Sequence, residues 1–86
     1  MALWLLTARR DLPDNSNPWI FRYNKCFAMV IRAETETEAR DLASKNAGDE
    51  NRAASIEEGP WRHEGFSRCQ KIPETGEPSV ILRQVW

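Results

Sequence analysis

One histidine, His63, two cysteines, Cys26 and Cys69, and thirteen carboxylates are the residues of this chain with the types to do acid–base, nucleophilic or metal chemistry. An imidazole-activated nucleophile would have to use His63, because the base must lie within hydrogen-bond reach of the group it activates. His63 sits in the turn-like run Arg62-His63-Glu64-Gly65, a setting of surface decoration rather than of a general base. The cysteines lack C-x-x-C spacing, and one histidine does not complete a zinc set with them, so no metal and no cofactor is expected. The four glycines, Gly48, Gly59, Gly65 and Gly76, form neither a phosphate loop nor a dinucleotide fingerprint. The acids gather around helix starts, where dipole and pairing account for them better than the paired carboxylates of a glycosidase. A non-enzymatic protein is the expectation.

Two groupings have the makings of binding surfaces instead. Arg9, Arg10, Arg22 and Lys25 interleave with Trp19, Phe21 and Tyr23, a pattern that would suit single-stranded nucleic acid by charge plus stacking, although Asp11 and Asp14 dilute it. Glu57, Glu58 and Glu64 form an acidic group; Glu57 and Glu58 are unpaired locally, before the Gly59-Pro60 break, so they are available to a basic partner. Residues 1–33 hold five basic and two acidic residues, whereas residues 34–64 hold four basic and nine acidic ones. The net charge of −1 argues against a general nucleic-acid or membrane-surface binder.

The elements that must position these groups read as follows. At 86 residues the chain is sized for one domain (1–86) with a net stability of about 5 kcal/mol. Residues 3–9 alternate as a strand. Residues 10–25 carry two prolines and the cluster Asp14-Asn15-Ser16-Asn17, which predict a long loop. Phe27, Met29, Ile31 and Ala33 alternate with Cys26, Ala28, Val30 and Arg32, so two largely apolar faces predict an interior strand.

Thr35-Glu36-Thr37-Glu38 then matches a capping box, in which Glu38 reaches back to the amide of the cap itself. The helix it starts shows an inward stripe of Ala39, Leu42 and Ala43, with Thr37, Arg40, Asp41, Ser44 and Lys45 outward and Gly48 as the left-handed stop. A second short helix is possible over residues 49–58 before Gly59-Pro60, and Trp61 is expected to anchor the connection on the core. Residues 67–72 read as a strand, and residues 79–86 as a last strand joined to it in a hairpin. The expected class is α+β, one antiparallel or mixed sheet of about four strands with one helix on one face, in the order β-β-α-β-β. The opening MALWLL is too short for a signal-peptide core, so the cytoplasm is the expected compartment, with two reduced structural thiols and no membrane partner.

Leu3 to Thr7 (LWLLT), Val30 to Ala43 (V-x-R-A-E-T-E-x-E-A-R-x-L-A), Ala47 to Glu50 (AGDE), Trp61, Cys69 and Gly76 to Leu82 (G-E-P-x-V-I-L) together resemble a group of short, uncharacterised phage- and prophage-encoded proteins. The resemblance implies a phage setting inside a bacterial host and brings no catalytic residue. Segments 10–25 and 51–65 depart from the shared pattern. The expected function is a small interaction protein that binds a host protein and inhibits a defence complex in the manner of an anti-CRISPR. Trp19, Phe21, Arg22, Tyr23, Glu57 and Glu58 are the expected contact residues. The alternatives are a small single-stranded nucleic-acid or nucleotide-binding module and a homodimeric structural accessory protein.

Overall fold

A computed structural model describes residues 1–13, 17–19, 24–52 and 59–83. They form an α+β fold with strands β1 (Ala2–Ala8), β2 (Ala28–Ala33) and β3 (Ser67–Ile72) and one helix, α1 (Glu36–Lys45). Two 3-10 turns, Asp49–Arg52 and Pro60–Arg62, shape the connection between α1 and β3. The sheet is antiparallel in the order β2-β1-β3. Leu3 lies between Arg32 and Ile72, Leu5 between Val30 and Gln70, and Thr7 between Ala28 and Arg68.

The centre of the sheet is therefore β1, not β2. The unbroken run Leu3-Trp4-Leu5-Leu6 suits the central strand, and its last two residues, Leu5 and Leu6, on opposite faces, are both buried. β2, expected to be interior, is an edge strand among the described residues, and its Val30 is 59% exposed with Arg32 exposed beside it. The pairing of the first two strands is antiparallel, as expected for strands joined by a loop without a helical crossover.

The expected hairpin after β3 does not form over residues 79–83, which are exposed and not in a strand; residues 84–86 lie outside the described residues. Pro73 and Pro78 bound the six-residue connection, and each holds the residue before it extended. Such a connection lacks the two-residue turn that would aim the chain straight back along β3.

α1 starts as its sequence predicts, with Thr35 Oγ1 accepting from the Glu38 amide at 3.2 Å. The reciprocal bond differs by one residue: a Glu38 carboxylate oxygen accepts from the Glu34 amide at 2.9 Å rather than from that of Thr35. At the other end Asn46 is the cap; its backbone N–H donates to the Leu42 and Ala43 carbonyls and its side-chain amide donates to Leu42 O at 2.8 Å. Gly48 thus has no part in stopping the helix by a left-handed turn. It is needed for space, since a Cβ there would stand 1.9 Å from the Asn24 carbonyl oxygen.

The core lies between α1 and one face of the sheet. Ala39 and Ala43 are fully buried, and their small side chains let the helix approach Leu6 and Ala33 closely. Trp19 and Trp61 complete this layer, their rings edge to face at 5.1 Å between centroids. Trp61 anchors the connection before β3, as expected. The short helix expected over 49–58 is a 3-10 turn at Asp49–Arg52, and residues 53–58 lie outside the described residues.

Candidate functional site

The face of the sheet away from α1 is set by strand alternation. Trp4, Leu6, Met29, Ile31 and Cys69 pack into the core, so Leu3, Leu5, Thr7, Ala28, Val30, Arg32, Arg68, Gln70 and Ile72 fall on the opposite side. The register arranges them in three rows: Arg32-Leu3-Ile72, Val30-Leu5-Gln70 and Ala28-Thr7-Arg68. Leu5 at the middle is 6% exposed, and around it Leu3 and Ile72 are half-buried while Val30 stands out. The two arginines occupy opposite corners of this aliphatic patch. Neither has an ion-pair partner among the described residues, and the patch carries no carboxylate. In a chain of net charge −1, the strand residues of this face carry two positive charges and no negative one among the described residues.

The residues expected to make contacts are placed differently. Trp19 lies inside the core, 3% exposed, with its indole N–H donating to Phe66 O at 3.1 Å. Phe21, Arg22, Tyr23, Glu57 and Glu58 lie outside the described residues. The loop cations that are described make contacts with their own chain. Arg9 Nε donates to Glu64 O at 2.6 Å, the Arg10 guanidinium lies 4.8 Å from the centre of the Phe27 ring, and Lys25 Nζ donates to Pro18 O.

On the other side of the molecule, two charged side chains are buried that sequence patterning does not single out. Glu50 is wholly buried and accepts from Cys26 N at 3.0 Å, Gly48 N at 3.1 Å and Trp61 Nε1 at 2.6 Å. Arg40, expected to face outward, is buried: its guanidinium donates to Glu36 Oε2, Trp61 O, Ser67 Oγ and Ser67 O at 2.9 to 3.2 Å. Helical spacing from Glu36 accounts for one of these bonds; the others come from acceptors more than twenty residues away. Only the A-G-D-E run hinted at Glu50. Among the described residues no buried side-chain nitrogen or oxygen lacks a hydrogen-bond partner, so both ions are satisfied within the fold.

The two thiols and the histidine are placed apart from one another. Burial pushes the thiols of Cys26 and Cys69 above their usual value, with the charge of Glu50 adding to the effect at Cys26 and that of Glu36 at Cys69. Both are free thiols. They lie on opposite sides of β1, two strand spacings or roughly 10 Å apart across the sheet, beyond the reach of a disulfide. The His63 ring packs edge to face on Phe66 at 6.1 Å. Among the described residues no three His, Cys, Asp or Glu side chains converge as metal ligands, and no helix is long and apolar enough to cross a membrane.

Comparison with family models, curated proteins and solved structures finds no match. The functional reading therefore rests on the surfaces of this fold.

Proposed function

We propose that this chain is a small non-enzymatic interaction protein of the phage-encoded kind its sequence resembles. It docks on a protein of its bacterial host through the face of the sheet away from α1, and in doing so inhibits a host defence complex in the manner of an anti-CRISPR. The observation that carries the docking surface is the exposed Val30, with the half-buried Leu3 and Ile72 over the buried Leu5, and Arg32 and Arg68 at opposite corners without an ion-pair partner among the described residues. An apolar centre rimmed by charge of one sign fits a partner surface with an apolar strip flanked by carboxylates. Phe21, Arg22, Tyr23, Glu57 and Glu58 are proposed as flanking contacts. Trp19 is withdrawn from that set because its ring belongs to the core.

The test uses the purified chain immobilised against host lysate, beside the Val30→Asp and Arg32→Glu/Arg68→Glu variants. Stoichiometric capture of one partner is expected, lost in both variants while the far-UV spectrum is unchanged. Capture that survives both substitutions overturns the docking surface; no capture overturns the reading as a whole. Nucleic-acid binding is disfavoured by the use of Arg9, Arg10 and Lys25 in contacts within the chain. Titration with a single-stranded oligonucleotide at low salt is expected to be flat.

A further inference from the structure

Val80, Ile81 and Leu82 are three consecutive aliphatic side chains, 78%, 58% and 44% exposed, in a segment with no strand partner among the described residues. Their types, two of them β-branched, are those of a strand interior rather than of a solvated linker. Next to them in sequence lies a matching deficit. β3 pairs with β1 along one side only, and among the described residues its outer edge has no strand neighbour. A row of unpaired amides and carbonyls along such an edge is a template for another strand.

We propose that residues 79–83 add as a fourth strand to the outer edge of β3 in a second copy of this chain, and that the two copies exchange these segments reciprocally. Donor and acceptor reside on the same chain, so a two-fold arrangement satisfies both at once and closes without leading to a fibre. The connection favours exchange over folding back. Its six residues, 73–78, are all exposed and run through bends at 74–75 and 77–78, without the two-residue hairpin turn that would lay the next segment straight back along β3. Extended, they reach about 20 Å, enough to carry the donor across to a neighbour. Successive side chains of the donor fall on opposite faces of the sheet. Either parity therefore brings Ile81, or Val80 and Leu82, alongside Ile72 and Gln70 and widens the apolar patch of the face away from α1. The exchange stands independently of what docks on that face.

The test is sedimentation velocity on the full chain from about 1 to 500 µM, a span that reads dissociation constants from micromolar to sub-millimolar by mass action. The Ile81→Asp/Leu82→Asp variant and the Val30→Asp variant on the far edge of the sheet are run beside it. A concentration-dependent dimer is expected, with its dissociation constant raised at least tenfold by Ile81→Asp/Leu82→Asp and unchanged by Val30→Asp. The altered residues are exposed, so the far-UV spectrum should not move. Hydrogen exchange should show alternate amides of β3 gaining protection as the concentration rises. A monomer at every concentration overturns the proposal, as does a dimer indifferent to Ile81→Asp/Leu82→Asp or one dissolved by Val30→Asp.

Discussion

The indole N–H of Trp61 donates to a carboxylate oxygen of Glu50 at 2.6 Å, and both side chains are wholly buried. Glu50 also takes the amides of Cys26 and Gly48, so one carboxylate ties the entry to β2, the segment after α1 and the segment before β3. Glu50→Ala leaves three donors without this acceptor and opens a cavity. A loss of about 3 to 5 kcal/mol is expected by urea denaturation, comparable to the whole net stability of about 5 kcal/mol expected of a domain this size. Glu50→Gln keeps one acceptor oxygen and should lose about half as much.

Gly48 and Gly65 make a matched pair of backbone tests. A Cβ at Gly48 would collide with the Asn24 carbonyl, the same oxygen that accepts from Asp49 N at 2.8 Å, whereas a Cβ at Gly65 meets nothing within 4 Å. Gly48→Ala is expected to cost about 2 kcal/mol or more, because relief of the clash breaks that bond. Gly65→Ala should be neutral or stabilising by up to about 0.5 kcal/mol through the unfolded state. Equal midpoints for the two variants in denaturant would show that Asn24 and Gly48 do not meet as described.

Arg40 uses the planar fork of its guanidinium to reach Glu36, Ser67 and the Trp61 carbonyl together. Arg40→Lys keeps the charge but cannot span those acceptors, and a loss of about 2 to 3 kcal/mol is expected. Ser67→Ala removes an acceptor for Arg40 and a donor to the Pro60 carbonyl and should cost about 1 to 3 kcal/mol. A double-mutant cycle should find the two losses less than additive, because the variants share a bond.

At Asp41 the hydrogen bond from Lys45 comes first, with the nearby charges of Lys45 and Arg62 adding to it, in holding the carboxyl below its usual 3.8. Its folded value is lowered relative to the unfolded chain, so its contribution is fully present above the unfolded value. It is lost as pH falls through the folded one. Asp41→Asn should therefore flatten the acid limb of the stability curve below about pH 4 and leave the dependence above pH 5 unchanged. Since the Asp41 side chain is in part open to solvent, the difference should shrink in 1 M salt.

Burial raises both thiols, so neither Cys26 nor Cys69 offers much thiolate at neutral pH. Alkylation of the native chain should run at least tenfold slower than that of an exposed thiol and reach two equivalents only in denaturant. Reducing agent should leave the unfolding midpoint where it is.

The local part of this fold is legible in the sequence. Thr35 and Glu38 announce the helix start, and the Glu36–Arg40 and Asp41–Lys45 pairs form at 2.9 Å as their four-residue spacing predicts. What escapes a linear reading depends on distant residues. Arg40 turns inward because Ser67 and the Trp61 carbonyl wait there, and Gly48 is fixed by Asn24 rather than by the helix it follows. β2 has the alternation of an interior strand, yet the longer apolar run of β1 takes the centre. The face away from α1 is visible only once the register is known, since Arg32, Leu5 and Arg68 are far apart in the chain and nothing local joins them.

The central place of β1 has a consequence for how the chain is made. β1 is made before β2, α1 and β3, and it can pair with β2 and receive α1 while synthesis continues. Its other side must wait for β3, as Leu3 pairs with Ile72. Until then the nascent chain holds an open seam along its middle strand, with Trp61 and Glu50 not yet locked together. Closing that seam draws together the most widely separated segments of the chain, which makes it the natural slow step of folding and the moment at which a chaperone would have most to hold.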